Sequence, residues 1–253
     1  MKPTKHLIIA SAVLLSIAPL AKSDVTISQG DLLLSFRITD STDILGGVAG
    51  NGTKNLEIGL GAATNYTSGS YFTFSLGADL SALFGSSWNQ ASTLVWSISG
   101  DNASKALWAT SPNSNVWNRA ARSYQTTVAS EIDLEYTGLN GQTATGTGVN
   151  GAVVDATQSY SYTSNIGTNG DYGYTSFSGG IEAGVTNSGA TSADLYYLAP
   201  GSGAGTDRGT FSLDSSGVLT FGTVPEPSTY ALAAIGAVGL ALIARRRRSL
   251  ANP

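Results

Sequence analysis

The sequence predicts an all-β domain, a β-sandwich of the jelly-roll or lectin-like kind with one or two short helices, flanked by two terminal segments of different composition. Residues 24–223 are dominated by Gly, Ser, Thr and Asn and by β-branched and aromatic residues, and Pro112 and Pro200 are the only prolines among them. About nine short strand-like segments alternate with turn-rich stretches, as in an antiparallel sandwich rather than a parallel sheet. At 253 residues the chain is long enough for one sizeable core.

The N-terminal segment has the features of a secretory signal peptide. Two lysines precede the apolar run 7–20, and small residues follow at the two positions that signal peptidase reads. The run is interrupted by Pro19 and is shorter than the roughly 20 residues that span a bilayer. We therefore predict that residues 1–23 are removed by signal peptidase, which cuts between Ser23 and Asp24.

Alternating hydrophobicity predicts the strands of the domain. Phe72, Phe74 and Leu76 point to one side of a segment whose other side is more polar, and the Asp-Ser-Ser-Gly sequence at 214–217 predicts a hairpin between the last two strands. The predicted strands are 32–38, 56–60, 71–76, 94–99, 132–136, 159–163, 193–198, 210–213 and 218–221.

Two helices are predicted between the strands. Residues 80–84 follow Asp79 and can form a single helical turn. Ser111 and Pro112 have the residue types of an N-cap and a first helical position, and apolar residues at helical spacing follow them, so a helix is expected over 111–130. We expect this helix to lie against the sandwich.

An acidic row is the first candidate for chemistry. Glu131, Asp133 and Glu135 occupy alternate positions of the predicted strand 132–136 and would share one face of it. The hexapeptide 131–136 resembles the active-site strand of family 16 β-glucanases. The resemblance implies that Glu131 is a nucleophile, Asp133 its electrostatic neighbour and Glu135 the acid/base. The resemblance covers six residues only, and the solvent-facing side of an amphipathic strand explains the same pattern. We favour that second interpretation and predict no catalytic residue.

Aromatic residues are the second candidate, because their faces can pack against sugar rings. Core packing explains the same residues, and we favour it for most of them. We expect Trp96 to be buried in the strongest apolar strand and Trp88 to be the better surface candidate. The aromatic residues considered are Trp88, Trp96, Trp108, Trp117, Tyr172, Tyr174, Tyr196 and Tyr197.

Missing residue types and the charge balance exclude several function classes. The chain has no cysteine, and its one histidine, His6, lies in the predicted signal peptide, so disulfides, cysteine or histidine metal sites and Ser-His-Asp catalysis are excluded from the mature protein. We expect no cofactor and no bound metal. Seven of the 13 basic residues lie in 1–23 and 245–248, whereas all 17 acidic residues lie from Asp24 to Glu226. Residues 24–226 therefore carry a formal charge of about −11, which makes nucleic acid an improbable partner.

The C-terminal segment, residues 224–253, predicts a short membrane helix with a defined orientation. Pro225, Glu226 and Pro227 precede the apolar run 230–244, and the prolines keep the approach to it extended. The four arginines of 245–248, namely Arg245, Arg246, Arg247 and Arg248, would stop transfer and stay cytoplasmic. The domain would then lie outside the inner membrane.

This order of motif, short helix and arginine cluster resembles the PEP-CTERM sorting signal of bacterial exosortase substrates. The resemblance covers roughly the last 25 residues, with Pro225, Glu226 and Pro227 on the motif itself. It implies recognition by an exosortase, an integral-membrane protease that removes the tail near the motif and releases or transfers the protein outward. A plain C-terminal anchor with a proline-containing linker is the alternative.

Together these observations predict a non-catalytic exported protein of the cell surface or extracellular matrix, transiently anchored in the membrane and then processed by exosortase. Extracellular polysaccharide is a candidate partner of the domain, and nucleic acid is not. The alternative is a small secreted family-16-like glucanase or lectin that uses Glu131, Asp133 and Glu135. The two hypotheses differ in whether these carboxylates line a groove or lie on an exposed face.

Overall fold

Most of the central domain is described by a computed structural model. The described residues are 24–40, 42, 48–112, 118–119, 122–145, 149–165, 180–185, 191–201 and 203–222. Several predictions lie outside these residues. They concern the signal peptide, the C-terminal segment 224–253 with its predicted membrane helix and arginines, and the aromatic residues Trp117, Tyr172 and Tyr174. No helix within the described part is long and apolar enough to cross a membrane.

Twelve strands and three helices are present in the described residues. The strands are β1 (Asp31–Ile38), β2 (Lys54–Ala62), β3 (Phe72–Ser75), β4 (Leu94–Asp101), β5 (Leu107–Ser111), β6 (Asn118–Arg119), β7 (Gly151–Asp155), β8 (Ala183–Gly184), β9 (Thr191–Leu198), β10 (Gly203–Ala204), β11 (Thr206–Leu213) and β12 (Val218–Phe221). The helices are α1 (Gly77–Phe84), α2 (Arg122–Leu139) and α3 (Tyr162–Asn165). Short 3-10 turns lie at Asn51–Thr53, Ala63–Asn65 and Trp88–Gln90.

Ten of the strands form one continuous antiparallel sheet. Their order is β3-β12-β11-β9-β5-β4-β1-β2-β7, with β8 paired to β4, while β6 and β10 form a separate two-stranded ladder. The all-β prediction is therefore confirmed, but the strands make one sheet rather than the two sheets of a sandwich. Strand β5 was not among the predicted strands. It hydrogen-bonds to both β4 and β9 and so joins the group β3-β12-β11-β9 to the group β4-β1-β2-β7.

The sheet curls around a large apolar cluster on what we call the inner face. Leu56 and Ile58 of β2 belong to the same cluster as Phe72 and Phe74 of β3, although β2 and β3 lie near opposite ends of the strand order. Helix α1 adds Leu80 and Phe84 to this cluster. Burial of these side chains is the main favourable contribution to folding of the domain.

Helix α2 covers part of the opposite side of the sheet, which we call the helix-covered face. Val128, Ile132, Tyr136 and Leu139 of α2 are buried at spacings of three and four residues, as expected for one face of a helix. They form a second apolar cluster with sheet residues that include Leu33. The domain therefore has apolar layers on both sides of one sheet.

Seven of the nine predicted strands are present, and the predicted last hairpin is confirmed. Leu213 pairs with Leu219, and Oδ1 of Asp214 accepts hydrogen bonds from the backbone N–H groups of Ser216 and Val218. Gly217 closes the turn at a φ of 84°, which favours glycine.

The predicted strands 132–136 and 159–163 are wrong. Residues 132–136 lie inside α2, and 159–163 form a turn that leads into α3. The alternation of Ile132, Leu134 and Tyr136 over five residues suggested a strand, but Leu134 is 40% exposed, and the longer helical period decides the structure.

The single turn predicted at 80–84 is confirmed as the end of α1, whereas the helix predicted over 111–130 begins later and runs further. Ser111 ends β5, Pro112 lies in a turn, and α2 starts at Arg122. The Ser-Pro pair therefore terminates a strand and does not cap the helix.

Candidate functional site

The candidate binding site is a pocket at one end of the inner face, which we call the aromatic pocket. Its volume is about 260 Å³. The loop after β2, the turn between β4 and β5, and one end each of β5, β9 and β11 contribute to it. The lining residues are Ala63, Thr64, Tyr66, Thr67, Asn102, Trp108, Tyr197 and Arg208.

Strand pairing places the two main aromatic side chains of the pocket side by side. Trp108 on β5 lies directly opposite Tyr197 on β9, and the ring centroids are 5.0 Å apart. Tyr66 forms a rigid boundary, because its hydroxyl donates a 2.7 Å hydrogen bond to the carbonyl of Leu60 while its ring packs against Phe211. The pocket thus has a preformed aromatic wall.

A bulge in β11 directs Arg208 toward this wall. Asp207 pairs with Tyr196 and Gly209 with Leu195, so Arg208 is the extra residue between two consecutive pairs. Its guanidinium carbon lies 4.7 Å from the ring centroid of Tyr197. Arg208 also lines a second pocket of about 190 Å³ next to the first.

Arg208 has no carboxylate partner among the described residues. Its Nε is buried and has no hydrogen-bond partner in the described part of the chain. By contrast, Arg37 forms an ion pair with Glu182, Lys54 with Asp155, and Lys105 with Asp101 and Asp133. A positive charge without a counter-charge in a pocket can attract an anionic group.

The turn between β4 and β5 holds the floor of the pocket in place. Oδ1 of Asn102 accepts hydrogen bonds from the backbone N–H groups of Ser104 and Ala106 and from the Ser104 hydroxyl. Lys105 adopts a φ of 61° in this turn, which is unusual for a residue with a side chain. The asparagine therefore has a structural role in shaping the site.

The aromatic residues considered in the sequence analysis differ in their positions. Trp96 is fully buried as predicted, and its Nε1 donates to Oγ1 of Thr191 at 3.0 Å. Trp88, the predicted surface candidate, is only 4% exposed, so that prediction is wrong. Trp88 belongs to the apolar cluster that α1 also joins. Of the set, Trp108 and Tyr197 line the pocket, whereas Tyr196 faces the helix-covered side.

The acidic row does not form the arrangement that its resemblance implies. Glu131, Asp133 and Glu135 lie on α2, where successive residues are about 100° apart, so Asp133 points away from the other two. Asp133 accepts hydrogen bonds from Lys105 and Gln29, and Glu135 is fully buried. Residues 131–136 are therefore helical, whereas the resemblance to family 16 β-glucanases implied an active-site strand.

Glu135 and Glu57 instead form a buried carboxyl pair on the helix-covered face. Within the part of the chain that the structure describes, neither carboxylate oxygen of Glu135 has a hydrogen-bond partner. Burial, followed by the charges of Glu57 and Glu131, raises the pKa of Glu135 well above its usual range. Burial also raises the pKa of Glu57 to about 7, against the hydrogen bonds that it accepts from Tyr162 and Asn55. No pattern in the sequence predicts this pair.

A second polar group on the same face is fully paired. The Arg37 guanidinium donates to both carboxylate oxygens of Glu182 at 2.6 and 2.8 Å. The Tyr162 hydroxyl donates to Glu182 and accepts from Ser97. Because each charge is compensated, this group has a structural rather than a ligand-binding arrangement.

The described residues contain no group of three or more His, Asp or Glu side chains that is placed to hold a metal ion.

Comparison with known proteins places one segment of the chain in a family. Residues 223–248 match the model of the PEP-CTERM protein-sorting motif. No curated protein and no solved structure matches the chain. A motif of this kind implies processing by an exosortase, export, and a location at the cell surface or outside the cell. Residues 223–248 therefore carry a PEP-CTERM protein-sorting motif, as the sequence predicted.

Proposed function

We propose that this protein is a non-catalytic, exosortase-sorted protein of the cell surface or extracellular matrix, and that its domain associates with extracellular polysaccharide through the aromatic pocket. Export would begin with removal of residues 1–23 by signal peptidase. The run 230–244 would then hold the chain transiently in the inner membrane, with Arg245 to Arg248 on the cytoplasmic side.

The match of residues 223–248 to the sorting-motif model is the observation that carries the sorting part of this proposal. The matched residues contain, in order, Pro225-Glu226-Pro227, the apolar run 230–244 and the four arginines. We expect the prolines to disfavour helix at the motif, which would leave this segment accessible to a protease.

The termini of the mature protein test the sorting part. We expect N-terminal sequencing of the released form to begin at Asp24 and its intact mass to lack residues 230–253. A released form that begins at Met1, or that retains the arginines, would contradict the proposed export and processing.

The aromatic pocket carries the polysaccharide part. Trp108 and Tyr197 provide apolar ring surface, and Thr64, Thr67 and Arg208 provide polar groups at the same opening. A concave site with an aromatic wall and a few convergent polar groups is the usual form of a small-ligand site. Glu131, Asp133 and Glu135 lie on a helix, which supports the non-catalytic hypothesis over the glucanase alternative.

A glycan array tests the polysaccharide part. We expect the full-length protein in detergent to bind a subset of glycans, and Tyr197→Ala to lose that binding. Tyr71→Ala is the matched control, because Tyr71 is 39% exposed and does not line the pocket. Failure of the wild type to bind any glycan, or equal loss in both variants, would contradict a role for the pocket.

A further inference from the structure

We propose that the aromatic pocket selects an acidic sugar, a single pyranose ring that bears one carboxylate, with Arg208 as the residue that recognises the carboxylate. This inference rests on the proposed carbohydrate association and specifies the chemical class of its ligand. It follows from the charge, the geometry and the size of the pocket, which point to the same class.

The charge of Arg208 favours an anionic ligand. Its guanidinium has no ion-pair partner among the described residues, although the exported part carries about eleven more acidic than basic residues. Arg37, Lys54 and Lys105, by contrast, each pair with a carboxylate. A cation held without a counter-charge at a partly desolvated position is stabilised when an anion binds to it.

The contacts of Arg208 leave its N–H donors available for a ligand. The ring contact with Tyr197 orients the guanidinium but satisfies none of its five N–H donors. A planar fork of N–H groups matches the two oxygens of a carboxylate, and such bidentate pairs are strong and specific. The bulge at Arg208 holds the side chain at the pocket, so little ordering is needed when a ligand binds.

Nothing in the lining repels a carboxylate. None of the eight lining residues is Asp or Glu. The adjacent Asp207 pairs across the sheet with Tyr196, which belongs to the helix-covered face, and Oδ1 of Asp207 accepts a hydrogen bond from the Gly209 N–H. A negative ligand group therefore meets one cation in the pocket and no like charge.

The volume of the pocket limits the ligand to about one ring. At about 260 Å³ it lies below the range of roughly 300–1,000 Å³ that is usual for drug-sized ligands. Trp108 and Tyr197 supply the apolar surface for a ring, and the hydroxyls of Thr64 and Thr67 can reach sugar hydroxyls. A terminal or side-branch uronic acid fits these limits better than several rings of a linear chain.

Calorimetric titration of the full-length protein in detergent tests the inference with three matched ligands. They are D-glucuronate, its neutral amide D-glucuronamide, and D-glucose, which share the ring and differ in the charged group. We expect glucuronate to bind at least roughly tenfold more tightly than glucuronamide, because only the carboxylate forms a charge-assisted pair with Arg208.

Two variants at one position and one remote control sharpen the test. Arg208→Gln should reduce glucuronate affinity roughly tenfold and leave glucuronamide affinity nearly unchanged, whereas Arg208→Lys should retain part of the preference. Lys54→Gln removes the same charge from the first residue of β2, whereas the pocket loop follows the last one, and should change both affinities less than about twofold. Thermal unfolding of each variant shows whether it is folded, and the wild-type comparison of acid and amide decides the question if Arg208→Gln is not.

Failure of the inference and failure of the proposed function give different results. If the acid and the amide bind equally, or if Lys54→Gln weakens glucuronate as much as Arg208→Gln does, selection by Arg208 is wrong while carbohydrate association stands. If none of the three sugars binds and the glycan array is also blank, the polysaccharide part of the proposed function falls and the inference falls with it.

Discussion

The inner face and the helix-covered face of the sheet are both buried, but they are built from different side chains. On the inner face, Tyr66 packs against the rings of Phe72, Phe211 and Phe221 with centroids 4.8 to 5.4 Å apart. The helix-covered face contains the buried carboxyl pair and the Arg37 group beside its apolar cluster. Apolar side chains thus dominate one layer, whereas the other combines apolar contacts with buried ionisable groups.

This difference separates what stabilises the domain from what makes its stability depend on conditions. Apolar burial on the inner face contributes a free energy that does not change with protonation. Carboxyls buried without partners cost free energy when they are ionised, so the helix-covered face makes stability depend on pH. The aromatic pocket lies on the inner face, so a ligand would meet the part of the domain that is insensitive to pH.

The largest expected effect comes from breaking the inner face. Phe211→Ala removes a fully buried ring that contacts Tyr66 and Phe221, and we expect the free energy of unfolding to fall by about 3–5 kcal/mol. Urea unfolding at pH 7 measures it. Thr73→Ala, on the exposed side of β3, is the control and should change stability by less than about 0.5 kcal/mol. A loss below about 1 kcal/mol for Phe211→Ala would show that the aromatic cluster is not the main source of stability.

The next largest effect is the pH dependence that the helix-covered face predicts. Burial raises the pKa values of Glu57 and Asp101 to about 7, and that of Glu135 well above its usual range. The folded protein therefore keeps protons that the unfolded chain has lost by about pH 5, and stability falls as pH rises through 7. We expect the free energy of unfolding to be lower at pH 8 than at pH 5 by about 1–3 kcal/mol. A protein that is equally stable or more stable at pH 8 would contradict the buried pair.

Glu135→Gln isolates the contribution of one carboxyl to that pH dependence. Glutamine resembles the protonated acid, so we expect little change at pH 5 and a gain of about 1 kcal/mol at pH 8. Thermal unfolding at the two pH values measures this difference. Asp40→Asn is the control, since Asp40 is exposed and its pKa is lowered by hydrogen bonds from Thr42, so it does not titrate in this range.

No change at all is expected from the acidic row in assays of hydrolysis. Glu131→Gln, Asp133→Asn and Glu135→Gln should behave as the wild type on mixed-linkage β-glucan and laminarin, because α2 keeps Glu135 buried and Asp133 paired with Lys105. Reducing-sugar release is the measurement. Hydrolysis by the wild type that any one of these substitutions abolishes would favour the glucanase alternative.

The inner face could be predicted from the sequence, because its strands alternate clearly. The pattern of Phe72, Phe74 and Leu76 and the turn before Val218 are local signals that tertiary packing does not override. The strand β5 could not be predicted, because Leu107–Ser111 is short and its middle residues do not alternate in hydrophobicity. Without β5 the strands form two groups, as in the predicted sandwich of two sheets.

The helix-covered face and the pocket could not be predicted, for a common reason. Glu131 to Tyr136 has the period of a strand over six residues, and only the wider spacing of Val128, Ile132 and Leu139 distinguishes the helix. The pocket depends on a bulge at Arg208 and on the pairing of Trp108 with Tyr197, two residues 89 positions apart. Register between distant strands and the position of a bulge are set by the whole sheet.

Sorting through the C-terminal motif is the central claim, and replacement of Pro225, Glu226 and Pro227 by alanine tests it most directly. The apolar run and the arginines are unchanged, so insertion and orientation should persist, while alanines permit regular helix where prolines disfavour it. Fractionation with an antibody to the domain should show a longer membrane-bound form in the variant and a shorter released form in the wild type. Equal release of both would show that the motif is only a linker and would contradict exosortase sorting.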